Sequence, residues 1–115
     1  MVAGPYTSGP ATRADNLAAL NRAALALFRR GHVPVIGVNM ALPVIAAAEG
    51  DAFDEVMMPL SLALAERCDG CLRIGGPSAG ADAEAARFRQ RGLPVWHRLE
   101  DIPGADDFSP APAFP

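Results

Sequence analysis

The chain has 115 residues and a formal net charge of −3; half of its residues are hydrophobic and only 6% are aromatic. That length suits one domain with a real core, and the acidic balance argues against a surface for a polyanion, so a nucleic-acid polymer is not an expected partner. No apolar run approaches the ~20 residues needed to cross a bilayer and the start lacks the layout of a signal peptide, so no membrane partner and a cytoplasmic location are expected.

Met1-Val2-Ala3 followed by Gly4-Pro5-Tyr6 reads as a short strand that breaks into a turn. From Asp15 to Arg30 the apolar residues Leu17, Leu20, Ala24, Leu27 and Phe28 recur at helical spacing, with Asp15 or Asn16 as the expected cap and Gly31 as the stop. His32 to Val38 is rich in β-branched residues and predicts a buried parallel strand whose first residues carry Pro34, which lacks a ladder donor. Asn39 to Ala52, with Pro43 and Gly50, predicts a loop with one short helix, in which Asn39 and Met40 line a ligand. Phe53 to Arg67 predicts a helix whose apolar face holds Phe53, Val56, Met57, Leu60 and Leu64, kinked or started late by Pro59. Gly70–Ile74 predicts a strand, Ala79–Arg91 a helix, 93–97 a last strand and Leu99–Ile102 a brief helical turn. Residues 104–115, proline-rich and holding Phe108 and Phe114, form a tail outside the domain of residues 1–103.

This alternation predicts an α/β fold: a three-layer α/β/α, flavodoxin-like (Rossmann-like) arrangement with a parallel sheet of four to five strands. Its ligand crevice lies at the carboxyl ends of the strands. There the Gly75-Gly76-Pro77-Ser78 loop leads into an alanine-rich helix, so free backbone N–H groups and the helix dipole favour an anionic or sugar-phosphate ligand. Glu84 lies roughly 9 Å further along that helix at ~1.5 Å per residue. Phosphate- or ribose-sized space beside a carboxylate points to chemistry at a glycosidic carbon. Asp82 is expected to complement the helix dipole, and Arg13 is a loop cation within reach of a phosphate. Cys68 and Cys71 form a lone CxxC ahead of a strand rather than at the start of a helix, and His32 and His97 sit elsewhere; no cofactor and no metal are expected.

With Gly4-Pro5-Tyr6, Gly31-His32-Val33-Pro34, Cys68-Asp69-Gly70 and the Ser78-x-Gly80-x-x-x-Glu84 spacing in view, the chain resembles the nucleoside 2-deoxyribosyltransferase superfamily. It is most similar to short bacterial members without an assigned role. The resemblance spans Val2 to about Ile102 and implies a nucleoside or nucleoside 5′-monophosphate substrate. It implies that Glu84 is the nucleophile at the anomeric carbon and that Ser78 holds phosphate. Gly4, Pro5, Tyr6, Gly76, Gly80 and Asn39 are expected to complete substrate binding, and the superfamily's habit of sharing sites between subunits implies a homo-oligomer. Two positions depart from the pattern: Ser61 stands where the superfamily has an aspartate general acid, and Met1 where it often has a tyrosine. The resemblance therefore implies an N-glycosidase or deoxyribosyltransferase-type enzyme, with a non-catalytic nucleotide or sugar-phosphate binder as the alternative. A third reading is a scaffold whose helices and tail serve in assembly.

Overall fold

The computed structural model describes residues 1–104. The expected tail, with Phe108 and Phe114, therefore lies, except for Gly104, outside the described residues. The elements, in chain order, are β1 (Val2–Ala3), α1 (Arg13–Arg29), α2 (Gly37–Ala46), α3 (Phe53–Ala65), β2 (Cys71–Arg73), α4 (Ala79–Gln90), β3 (Val95–Trp96) and a 3-10 turn at Leu99–Asp101. This is a mixed α/β fold with four α-helices and a three-stranded parallel sheet in the order β1-β2-β3. Val2 pairs with Leu72 and Ala3 with Arg73; on the other side Cys71 pairs with Val95 and Leu72 with Trp96. No helix among the described residues is long and apolar enough to cross a membrane.

Alternation along these short strands sorts their side chains into two clusters. Val2 and Leu72 pack with Leu20 and Leu27 of α1, Ile36 and Ile102. Met1, Ala3 and Cys71 pack with Ala65 of α3 and Ala81, Ala85 and Phe88 of α4. The second cluster owes its closeness to small residues: with alanine at three helical positions, α3 and α4 approach the sheet and Phe88 fills the remaining space.

Three expectations about the first half of the chain need correcting. The strand foreseen over His32–Val38 is absent; the chain runs extended beside β1, where the Val35 carbonyl accepts from the Val2 N–H at 2.8 Å, and turns into α2 at Gly37. Pro34 has no N–H to give, so one side of that segment cannot ladder, and the β-branched run ends inside a helix. The cap of α1 is Thr12, whose side chain accepts from the Asp15 N–H, rather than Asp15 or Asn16. Asn16 instead donates to the Tyr6 carbonyl at 2.7 Å and the Ser8 carbonyl at 3.3 Å, fixing the turn after β1. Phe28, expected on the buried face of α1, is exposed.

Pro59 falls inside α3 without delaying its start at Phe53. The carboxyl end of α3 is clamped to α4. Arg91 donates to the carbonyls of Ala65 at 2.8 Å and Cys68 at 3.3 Å, and Glu66 lies 3.6 Å from Arg87 and 3.5 Å from Arg91. A cation that takes up free carbonyls at a helix end also complements the helix dipole.

Because Phe88 is fully buried where α4 meets the sheet, Phe88→Ala is expected to lower unfolding free energy by roughly 3–5 kcal/mol through lost transfer energy and the cavity left behind. Urea titration followed by circular dichroism measures it.

Candidate functional site

The carboxyl ends of β1 and β2 run into two glycine-containing turns. Gly4 has no room for a side chain: a Cβ there would stand 2.9 Å from Leu20 and 3.0 Å from the Ile74 carbonyl oxygen. Gly75 has φ +79°, and a Cβ on it would meet Pro5 at 2.7 Å. The β2–α4 loop therefore folds tightly onto the loop that follows β1, as only glycine permits at both points.

Arg73 holds this loop from below. Only 8% exposed, it donates through Nε to Asp82 Oδ1 at 3.1 Å, through Nη2 to the Gly76 carbonyl at 2.9 Å, and through Nη1 to the Ile74 carbonyl. One guanidinium thus ties the end of β2, the glycine turn and the first turn of α4 together, using the fork geometry that lysine lacks. Sequence inspection missed this residue, since an arginine in a three-residue strand reads as solvated. The usable signal was Asp82, nine residues later in the chain: an acid in the first turn of a helix beside a buried strand.

Above the loop, Ser78 is the N-cap of α4 and accepts from the Ala81 N–H at 3.2 Å. Ala81, Glu84, Ala85 and Phe88 then recur at the i, i+3, i+4, i+7 spacing of one helix face, and all four are buried. Glu84 thus sits on the stripe that faces the sheet, not on the solvent face. Its potential partners on the same helix, Arg87 and Arg91, turn to Glu66 instead.

Glu84 opens into a cavity of about 280 Å³. Gly4, Tyr6, Ser78 and Gly80 line the same space, as expected of substrate-binding residues, together with Phe53, Met57 and Ser61 from α3. Pro5 and Gly76 line a smaller neighbouring cavity of about 170 Å³ that shares Ser8 with the first. Asn39 lines neither: exposed on α2, it donates to Asn21 Oδ1 of α1 at 2.8 Å. Its expected place at the ligand followed from a strand ending at residue 38, and the early start of α2 turns it away. Gly80 also makes room for α3, since a Cβ there would come within 3.1 Å of Met58 Sδ.

At the rim, the Arg13 guanidinium lies over the Tyr6 ring at 5.6 Å and the Phe53 ring at 5.4 Å, a spacing suited to cation–π attraction. The α3 contribution had a trace in the sequence. Phe53, Met57, Ser61 and Ala65 follow at i+4 intervals, so one serine interrupts an apolar stripe, and the structure buries it to 2% exposure.

Burial pushes the Glu84 carboxyl up to about 7 from its ordinary 4.5, opposed first by the Met1 amino group and then by the Arg73 guanidinium. Neither Glu84 nor Ser61 has a side-chain hydrogen-bond partner among the described residues, yet no polar side-chain atom sealed from solvent there goes unpartnered. Their oxygens therefore face the cavity. The arrangement is a carboxylate in a largely apolar hollow with hydroxyls nearby, able to act as a nucleophile or to exchange a proton near neutrality.

The cysteine pair offers no comparable chemistry. Cys71 is buried in the sheet, and burial pushes its thiol up to about 11; the Cys68 thiol donates to the Leu64 carbonyl. Among the described residues, no group of three or more His, Cys, Asp or Glu side chains is placed to hold a metal ion. Comparison of the chain with family models, curated proteins and solved structures yields no match.

A carboxyl whose folded pKa lies above its unfolded value favours folding while protonated and costs stability as pH rises from 4.5 through 7. Glu84→Gln is therefore expected to be more stable than the parent at pH 8 by on the order of 3 kcal/mol, with the advantage fading as pH falls towards 4.5. Denaturation at several pH values checks both sign and window. Arg73→Gln, which leaves Asp82 and the Gly76 carbonyl without their donor, is expected to cost roughly 2–3 kcal/mol and to speed amide exchange over residues 75–80.

Proposed function

We propose that the protein is an N-glycosidase or 2-deoxyribosyltransferase-type enzyme acting on a nucleoside or nucleoside 5′-monophosphate, with Glu84 as nucleophile at the anomeric carbon. The observation that carries this reading is Glu84 itself, 8% exposed on the sheet-facing stripe of α4 and open to a cavity that also holds Ser78, Gly80, Gly4 and Tyr6. A buried carboxylate without a partner is costly for stability; a cavity the size of a small ligand beside it supplies a reason to keep it.

In this reading the carboxylate attacks the anomeric carbon and splits one displacement into two, through an oxocarbenium-like transition state that the negative charge stabilises. Ser78 and the first amides of α4 receive a phosphate or sugar hydroxyl. Arg13, braced by Tyr6 and Phe53, supplies positive charge at the entrance.

The fold supports the same reading. Taking the extended residues 33–36 as a fourth strand beside β1 gives a flavodoxin-like order, with helices on both sides of the sheet and the cavity at the point where strand order reverses. A nucleotide substrate fits the cytoplasm. Self-association is part of the proposal. Met57 and Met58 line the cavity, whereas Leu25 and Phe28 of α1, Val33, and Met40 and Val44 of α2 are exposed and offer apolar area to a second copy.

One observation favours the alternative of a nucleotide or sugar-phosphate binder without turnover: among the described residues Ser61 lines the cavity with no second carboxyl beside Glu84 to protonate a leaving base. General-acid help of roughly 10²–10⁴-fold would be absent.

Incubation with a panel of nucleosides and their 5′-monophosphates, with released base followed by chromatography, separates the two. Base release that disappears in Glu84→Ala is expected. Saturable nucleotide binding by calorimetry without release, lost in Ser78→Asp, would establish the binder instead.

A further inference from the structure

The part of the cavity away from the sugar-phosphate loop has a character of its own. Helix α2, ten residues long, begins at Gly37 with Ile36 as its N-cap; no side chain caps it and no acid lies in its first turn. Its first N–H groups therefore keep their positive polarity uncompensated. Val38, in that first turn, lines the cavity containing Glu84. Ser61 adjoins the same helix end, since a Cβ built on Gly37 would fall within 2.7 Å of the Ser61 Cβ and closer still to its Oγ. Ser61 is 2% exposed and lines the cavity; its hydroxyl has no hydrogen-bond partner among the described residues, and since no polar side-chain atom sealed from solvent there goes unpartnered, what exposure it keeps is to the cavity. A hydroxyl free to donate into the cavity and a bare helix amino end thus converge, at the position where the resemblance implies a carboxylic acid.

We propose that the Ser61 hydroxyl and the uncapped amino end of α2 receive the departing base as an anion, so that the enzyme is selective for nucleosides of oxo-bases. The inference rests on the glycosidase reading and specifies its substrate class. As a Glu84 oxygen bonds to the anomeric carbon, the carbon–nitrogen bond breaks and its electron pair passes to the ring nitrogen. In a dione pyrimidine or a 6-oxopurine that charge spreads onto ring carbonyls, which accept hydrogen bonds. The negative charge moves from Glu84 to the base, towards the hydroxyl and the helix amides. Water then attacks the anomeric carbon and displaces Glu84 as a carboxylate. One water proton goes to the base anion, and a neutral base and a free sugar leave. Amino-substituted bases form less stable anions and depart readily only when protonated, which a serine cannot do.

The test compares uridine with cytidine and inosine with adenosine, each also as the deoxynucleoside and the 5′-monophosphate, on the full chain. The oxo member of each pair is expected to show kcat/KM at least about a hundredfold higher. Ser61→Ala is expected to lower kcat on the oxo members by roughly 10²-fold, as loss of one anion-stabilising donor does, to leave the amino members little changed, and to keep the parent's circular dichroism spectrum. Glu84-dependent release with equal rates within each pair, or with the amino member faster, would overturn the inference and leave the glycosidase reading standing. Undiminished selectivity in folded Ser61→Ala would also overturn it. Absence of Glu84-dependent release from every substrate would sink both. Should the variant fail to fold, the pairwise comparison on the parent chain still decides.

Discussion

Most of the site's geometry hangs on the side chain of Arg73. Its guanidinium, itself buried, spends its donors on two loop carbonyls and one exposed helix carboxylate within ten residues of its own position. Burying a cation is tolerable only where hydrogen bonds replace its water, and here the replacement also fixes where α4 begins. The start of α4 determines the phase of the helix, and the phase decides whether Glu84 faces the sheet or the solvent. A loop containing Gly75 and Gly76 without that tether would have many conformations to choose from. The glycines make the tight turn possible and the arginine makes it unique.

The two walls of the cavity are set by different means. The α4 wall is anchored to the sheet through Ala81, Ala85 and Phe88, whereas the α3 wall is held to α4 at its far end by the Glu66–Arg87–Arg91 group and the carbonyl contacts of Arg91. Exposed ion pairs contribute little individually. The Arg91 bonds to the Ala65 and Cys68 carbonyls carry more weight, because they satisfy backbone groups that the end of α3 leaves free. The two walls approach closely at Gly80, which has no side chain to meet Met58.

Much of the second half of the chain was legible in the sequence. Helix α4 starts at Ala79 and α3 at Phe53, as spacing predicts, because their apolar periods run the length of each helix with one polar interruption apiece, Glu84 and Ser61, and their boundaries carry ordinary signals: a serine cap for one, a preceding glycine-acid turn for the other. The first half was harder to read. β-Branched residues from His32 to Val38 look like a strand whatever follows, but propensity is a weak prior against tertiary packing, and α2 begins at Gly37, where only a residue without a side chain fits against Ser61. For the site, Glu84, Ser78, Gly80, Gly4 and Tyr6 come together as their positions after two parallel strands suggest. Arg73 escaped notice because it is a polar residue in an apolar stretch, and Ser61 stood out only through the resemblance; what a buried polar side chain serves is visible only once its neighbours are known.

The contact between Gly37 and Ser61 has an evolutionary corollary. Two positions separated by 24 residues in the chain share one small volume, so that a methyl group at the first and a hydroxymethyl at the second cannot coexist without moving a helix. Neither site drifts freely. A lineage that enlarges residue 37 must first shrink or displace residue 61, and the order of those changes matters, since the reverse sequence passes through a clashing intermediate. Related chains should therefore show the pair varying as a unit, with a bare backbone at 37 wherever 61 keeps a side chain aimed at α2.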